Sequence, residues 1–385
     1  MIPVPALHTN RGERQMAHTL VKQIGRIGQE YILPLTAEQE ALAMEIHNSA
    51  IVFDLHLHGV VLPEHESDYD SWLEGHRFPC AYEGIKHAGL TAFIEGFASM
   101  AHTWRLDDAI KEIGLRWCDM DHRPELVMRA LRADDVLRAK REGRTAIFMT
   151  IESSEQVGND LDNIDLLYGL GVRSMGLTYN KRNLVCDGRT ERTDCGLSDF
   201  GLKVIERMND LGIIVDAAHA SVRTTIETAE ASRAPIIVSH TGARGVYNTG
   251  RMATDEELAA VAKKGGLVGI HTSPNVLSAE KHQRVDHVMD HLDYCVKRIG
   301  VDHVCIGSDN FFGDKNALHA HSMRTHATDG LQKYLVFNAP YMEGIENPSE
   351  WRNLTRALVK RGYARQDIEK LIGGNALRIV RTVVG

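Results

Sequence analysis

Apolar runs that each end on a chemically able polar residue recur along this chain, and that recurrence constrains its fold more than any other feature. Ile51-Val52-Phe53 leads to His56-Leu57-His58, the run from Thr145 to Glu152, Val172 to Tyr179, Gly212 to His219, Pro235 to His240, and Val304-Cys305-Ile306 to Gly307-Ser308-Asp309. Candidate strands fall near 51–57, 90–97, 145–151, 172–178, 212–218, 235–239, 266–271 and 303–308, eight in all. Stretches of helical spacing separate most of them, among them Ser198 to Leu211, Val222 to Ala231 and Asp255 to Lys264. Gly212 and Gly265-Gly266 stand where those helices stop, because glycine takes the left-handed C-cap at little cost. Strands alternating with helices predict βαβ units and a parallel sheet. The expected fold is α/β, a (β/α)8 barrel, whose active site lies at the C-terminal ends of its strands. A doubly wound open sheet is the alternative, but it would crowd functional residues at one strand-order reversal. Here they end strands one, three, four, five, six and eight.

A bare barrel takes about 250 residues, so a chain of 385 must place the remainder in an N-terminal extension, long loops and C-terminal helices. The expected division is a helical extension over 1–45 followed by a catalytic barrel over 46–385, with a helix starting at Thr36. Residues 59–89 and 310–350 read as long irregular loops over the site, and His319, His321 and His326 in the second as solvated or substrate-facing residues. The net charge of −8 offers no basic face, so no nucleic-acid partner is expected. Six cysteines without a CxxC pair imply no disulfide framework, and Cys295 and Cys305 read as core residues. Neither a signal-peptide h-region nor an apolar run of about 18 residues is present, which predicts a soluble cytoplasmic protein with no membrane partner. A homo-oligomer is compatible with this composition.

His56 and His58 are two apart in a strand and so share a face; two imidazoles converging on the barrel interior suit a metal of the zinc type. With 20 histidines in the chain an H-x-H pair alone arises by chance, but the strand-end Glu152, His219 and His240 add three more donors. Five nitrogen and oxygen ligands, one a carboxylate able to bridge, match the needs of two divalent ions about 3.5–4 Å apart that acidify a shared hydroxide. Zinc is the first expectation, with manganese or cobalt as alternatives. Asp309 would position the water and pass its proton to the leaving group; an aspartate after a strand also caps turns, which is the structural alternative.

These residues resemble the membrane (renal) dipeptidase family of metallopeptidases, within the amidohydrolase superfamily. The resemblance runs from His56 to Arg378 through Ile151-Glu152, Val215 to Ser221, Ile237 to Arg244, Ile306 to Asp309 and Gly373 to Arg378. It implies metal ligation by His56, Glu152 as bridging carboxylate, His219 and His240 on a second ion, Asp309 as acid/base residue, and Arg251 as the group that binds a substrate carboxylate. Two positions depart from the family pattern: His58 stands where the family carries aspartate, and Tyr179 where it carries the histidine that contacts the substrate carbonyl. A hydroxyl still donates a hydrogen bond toward an oxyanion, and Arg182 and Asn183 in the same loop could add polar contacts. The resemblance implies hydrolysis of dipeptides or small N-acyl amino acids. The two departures keep open another amidohydrolase-type substrate, a lactone or cyclic amide. A non-catalytic scaffold fits poorly with both Glu152 and Asp309 present.

Overall fold

The computed structural model describes residues 31–97, 104–315, 317–318, 320–321, 339 and 341–385. Eight parallel strands follow one another around the sheet in chain order: β1 (Phe53–Leu57), β2 (Ala92–Phe97), β3 (Thr145–Ile151), β4 (Val172–Gly176), β5 (Ile214–Asp216), β6 (Ile237–Thr241), β7 (Leu267–Ile270) and β8 (Val304–Ile306). A ninth short strand, Val127–Arg129, pairs with β3 off this path. The ring is nearly closed. Beyond the end of β8, Asp309 N donates to His56 O at 2.8 Å and His58 N to Asn310 O at 3.1 Å, which stitches the last strand to the first. All eight expected strands are present, each within or close to its predicted span, so this is the (β/α)8 barrel.

The strands are apolar runs because both of their faces are covered. One cluster, with Phe53, Leu55, Ile94, Phe148 and Ile214, fills the barrel interior and is plugged from below by Ala376, Ile379 and Val380 of the helix Asn375–Val383. The larger cluster lies between the strands and the surrounding helices, and Cys295 is buried there while Cys305 faces the interior. Local capping agrees with the sequence: Thr36 forms a capping box with Gln39, and Gly212 (φ 74°) and Gly265 (φ 76°) take the left-handed conformation where their helices end.

Two register irregularities decide what the site contains. Between Asp54 and Leu57, β1 spends three residues against two of β2, and between Val238 and Thr241, β6 does the same against β7. Strict alternation would send Phe53, Leu55 and Leu57 to one face and the histidines to the other. The bulge resets the phase, so Phe53 and Leu55 pack in the interior, Leu57 packs outside, and His56 and His58 still face inward. Bulges re-aim side chains in this way beside functional sites. The second one pushes the Ser239 carbonyl into the barrel, where a Cβ on Gly269 or Gly307 would collide with it.

The loops over the mouth differ from the irregular segments expected. Residues 59–89 contain the helices Tyr69–Gly75 and Tyr82–Ala88, and Val61–Leu62 pairs in parallel with Phe312–Gly313 from the loop after β8. His321 is buried and stacks on Tyr69 with ring centroids 5.0 Å apart, so it is a packing residue that joins the two loops rather than a solvated one. His319 and His326 lie outside the described residues. The helix Ala37–Ser49 crosses residue 45 and packs against Arg352–Lys360, with Arg356 paired to Glu40 at 2.7 Å.

Within that packing, His47 is a pH-sensitive element. Its Nε2 donates to Ala88 O at 2.9 Å and its Nδ1 accepts from Thr355 Oγ1 at 2.8 Å. Burial, reinforced by Arg352 and Lys140 and opposed by the Ala88 bond, pulls it from 6.5 to about 3. Above pH 6.5 the histidine is neutral folded or unfolded; below it only the unfolded chain takes up the proton, so stability falls as pH drops from 6.5 toward 3. In urea unfolding between about pH 7.5 and 4.5, His47→Gln is expected to flatten this acid loss by up to about 1.4 kcal/mol per pH unit. Parallel curves for the two proteins would remove His47 from the acid response.

Candidate metal centre

Five sequence-expected donors meet at the C-terminal mouth of the barrel. His56, His58 and Glu152 form one set with all ligand atoms within 4.8 Å of one another, and Glu152, His219 and His240 form a second. Glu152 belongs to both, one oxygen to each: Oε1 lies 3.4 Å from His56 Nε2 and 3.6 Å from His58 Nε2, whereas Oε2 lies 3.8 Å from His219 Nε2. A third set, His56, Asp216 and His240, brings in a carboxylate that sequence reasoning missed. Asp216 ends β5 three residues before His219 and accepts from Ser239 N at 3.0 Å and from the Ser239 hydroxyl.

Hydrogen bonds on the far ring nitrogens orient the histidines toward the centre. His58 Nδ1 donates to Gly96 O at 3.0 Å, which turns its Nε2 toward the donor sets, 3.0 Å from Asp309 Oδ1. His240 Nδ1 donates to Ser239 Oγ at 2.8 Å, whose own proton goes to Asp216. His219 Nδ1 lies 2.9 Å from Asn180 Oδ1. The two unprotonated nitrogens, His219 Nε2 and His240 Nε2, then face each other at 2.9 Å, and His56 is buried with neither ring nitrogen hydrogen-bonded among the described residues. Lone pairs and carboxylates aimed at common points repel unless a cation lies between them. Fixing the tautomer through the far nitrogen is also how metal-ligating histidines are held.

The electrostatics carry the same demand for positive charge. Burial opposes a proton on His56, yet the Glu152 and Asp309 carboxylates outweigh it and raise His56 to about 9. Burial pushes Glu152 up, but His56 and His58 bring it down to about 2. Burial holds His219 and His240 well below their ordinary value, helped by Arg251 for the first and His56 for the second, so both are neutral and able to ligate. Space is available as well: a Cβ on Gly96, at the end of β2, would sit 2.8 Å from both Glu152 Oε1 and His56 Nε2 and against His58. The donors fit divalent metal.

Around this centre the other expected residues divide. Asp309 is not a cap: its side chain, 23 % exposed, reaches His58 through Oδ1 and His271 Nε2 through Oδ2 at 2.9 Å, and its backbone is left-handed at φ 48°. Arg251 is buried, and its two terminal nitrogens donate to Ala218 O at 2.9 Å and His240 O at 2.8 Å. Burial and Arg189 lower it to about 10, so it stays charged near neutrality. Tyr179 lies in the mouth, its ring stacked on His219 at 4.3 Å and against Trp104 at 5.0 Å. Arg182 and Asn183 do not supply the contacts considered for them. Arg182 pairs with Asp187, and Asn183 spends its amide on Leu177 O, Val185 N and Cys186 N. His271, one residue past β7, also belongs to this centre, and its one signal in the sequence is that it ends an apolar run just as the other site residues do.

Comparison with known proteins agrees with this geometry. The chain matches the membrane dipeptidase family (peptidase family M19) over residues 101–320 and 338–384. It is 29% identical over 290 residues to dipeptidase tcpJ of Claviceps purpurea (strain 20.1), a match covering 74% of this chain and 62% of the relative. It is 29% identical over 246 residues to dipeptidase 3 of Rattus norvegicus, covering 62% and 45%. The chain thus spans about half to three-fifths of the length of these relatives. Among solved structures, an amidohydrolase from Pseudomonas aeruginosa superposes with a TM-score of 0.73 at 26% identity, over 89% of this chain and 98% of the other. Fold, converging donor sets and sequence match agree that the chain belongs to the membrane dipeptidase family.

Proposed function

We propose that this protein is a binuclear metal-dependent hydrolase that cleaves the amide bond of dipeptides or small N-acyl amino acids. The observation that carries this reading is Glu152, with one oxygen toward each of two histidine sets. His56, His58 and Glu152 would hold one divalent ion, zinc first and manganese or cobalt as alternatives, and Glu152, His219 and His240 the other. When bound, such ions polarise a scissile carbonyl and acidify water. The chain does the rest. Asp309 Oδ1 faces the donor sets and accepts the proton of the attacking water, then returns it to the leaving nitrogen as the C–N bond breaks. The Tyr179 hydroxyl donates toward the carbonyl oxygen as charge builds there, in place of the histidine its family carries. Arg251 has five N–H donors, of which two hold the Ala218 and His240 carbonyls, so donors remain for a substrate carboxylate.

The clamp on the His219 and His240 segments means that Arg251→Ala should harm every substrate somewhat. Recognition is isolated by comparing a dipeptide with its C-terminal amide. Arg251→Ala is expected to raise KM for the carboxylate by about tenfold or more relative to the amide, a lost binding contact rather than a lost chemical step. An equal effect on both would remove Arg251 from carboxylate recognition. The substrate class itself is tested by screening L,L- and L,D-dipeptides, N-acyl amino acids, lactones and cyclic amides with the metal-loaded protein. Hydrolysis of a lactone or cyclic amide with every dipeptide left intact would replace this reading, and the departures at His58 and Tyr179 would then mark the change of substrate.

A further inference from the structure

We infer that His271 is a positioning residue for Asp309, anchoring one carboxylate oxygen so that the other is presented to the reaction. The inference rests on the reading of Asp309 as the proton-handling group. His271 is buried, and its Nδ1 accepts the backbone N–H of Ser273 at 2.9 Å. A ring nitrogen that accepts bears no proton, so the neutral imidazole carries its proton on Nε2, 2.9 Å from Asp309 Oδ2. That polarity is the reverse of His58, His219 and His240, whose Nδ1 atoms face acceptors. His271 therefore lies beside the cation donors without offering a lone pair toward them; it gives a hydrogen bond instead.

The backbone strengthens the assignment. Residues 271–273 are tied to residues 308–309 through Thr272 N to Ser308 O at 3.0 Å, Thr272 Oγ1 to Ser308 O at 3.1 Å and Ser273 Oγ to Asp309 O at 2.6 Å. One tripeptide thus grips both the main chain and the side chain of Asp309. A left-handed aspartate costs on the order of 1 kcal/mol and persists where its surroundings over-determine it. With Oδ2 anchored, Oδ1 is left toward His58 Nε2 at 3.0 Å and His56 Nε2 at 3.8 Å. Rotation of the carboxylate away from that direction would cost the His271 bond.

The test compares His271→Asn with His271→Gln in the metal-loaded enzyme, each alone and combined with Asp309→Asn. The glutamine amide reaches the position of the imidazole Nε2 and can still donate to Oδ2, whereas the asparagine amide is too short. His271→Asn is expected to lower kcat by about 10–100-fold, the usual cost of losing an orienting partner, with KM within about twofold and the cation content unchanged. His271→Gln should recover about tenfold of that loss. In the Asp309→Asn background, His271→Asn should cost less than about threefold more, because groups that act as a unit are not additive. Normal kcat in His271→Asn, equal losses in His271→Asn and His271→Gln, loss of a cation, or fully multiplicative losses would each overturn the inference. If Asp309→Asn alone left kcat untouched, the reading of Asp309 would fail first. If Asp309→Asn were slow while His271→Asn was normal, only the role of His271 would fall.

Discussion

Asp309→Asn is expected to lower kcat by about 10²–10⁴-fold, the range for a positioned acid/base group, while the fold and the bound cations remain. The substitution is nearly isosteric, and asparagine tolerates the left-handed backbone that Asp309 adopts at φ 48° better than almost any residue but glycine. The amide oxygen can still accept from His271 Nε2, so the side chain stays in place and the loss falls on proton transfer. Steady-state kinetics with elemental analysis of the same preparation checks this. A parallel loss of metal would recast Asp309 as a ligand, and normal turnover with an earlier melt would return it to a structural role.

Glu152→Gln should have an effect of similar size by a different route. The Glu152 carboxylate belongs to both histidine sets, and its oxygens lie 3.4 Å from His56 and 3.8 Å from His219. An amide in its place puts a non-ligating nitrogen toward one set and leaves a neutral oxygen for the other, so the metal content should fall from near two per chain to one or none. Losing a Lewis acid worth several kcal/mol to the transition state corresponds to about 10³-fold or more in rate. Stripping the native protein with a chelator should have the same consequence, and zinc, manganese or cobalt should restore the native protein but not Glu152→Gln. Full activity of Glu152→Gln with two ions retained would sink the shared-carboxylate reading.

Much of this protein was decided by local sequence. The eight apolar runs, the helices between them, the Thr36 capping box and the left-handed Gly212 and Gly265 are short-range features, so patterning and propensity place them correctly. Because parallel strands in a barrel all point the same way, the residues that end those runs had to emerge at one rim. That His56, His58, Glu152, His219, His240 and Asp309 meet at one place was therefore legible in the sequence.

Tertiary structure decided what lies beyond that reach. The bulges in β1 and β6 come from register against neighbouring strands, and strict alternation in the sequence would have placed His56 and His58 opposite Phe53 and Leu55. Arg251 is marked in the sequence only by the family resemblance, and only the fold brings its guanidinium to the Ala218 and His240 carbonyls. His271 and Asp216 look like ordinary strand-end polar residues, and only contacts across the barrel, to Asp309 38 residues away and to Ser239 23 residues away, give them partners. Secondary structure follows from neighbours along the chain, whereas proton direction and shared ligation depend on distances of about 3 Å between residues far apart in sequence, which only packing sets.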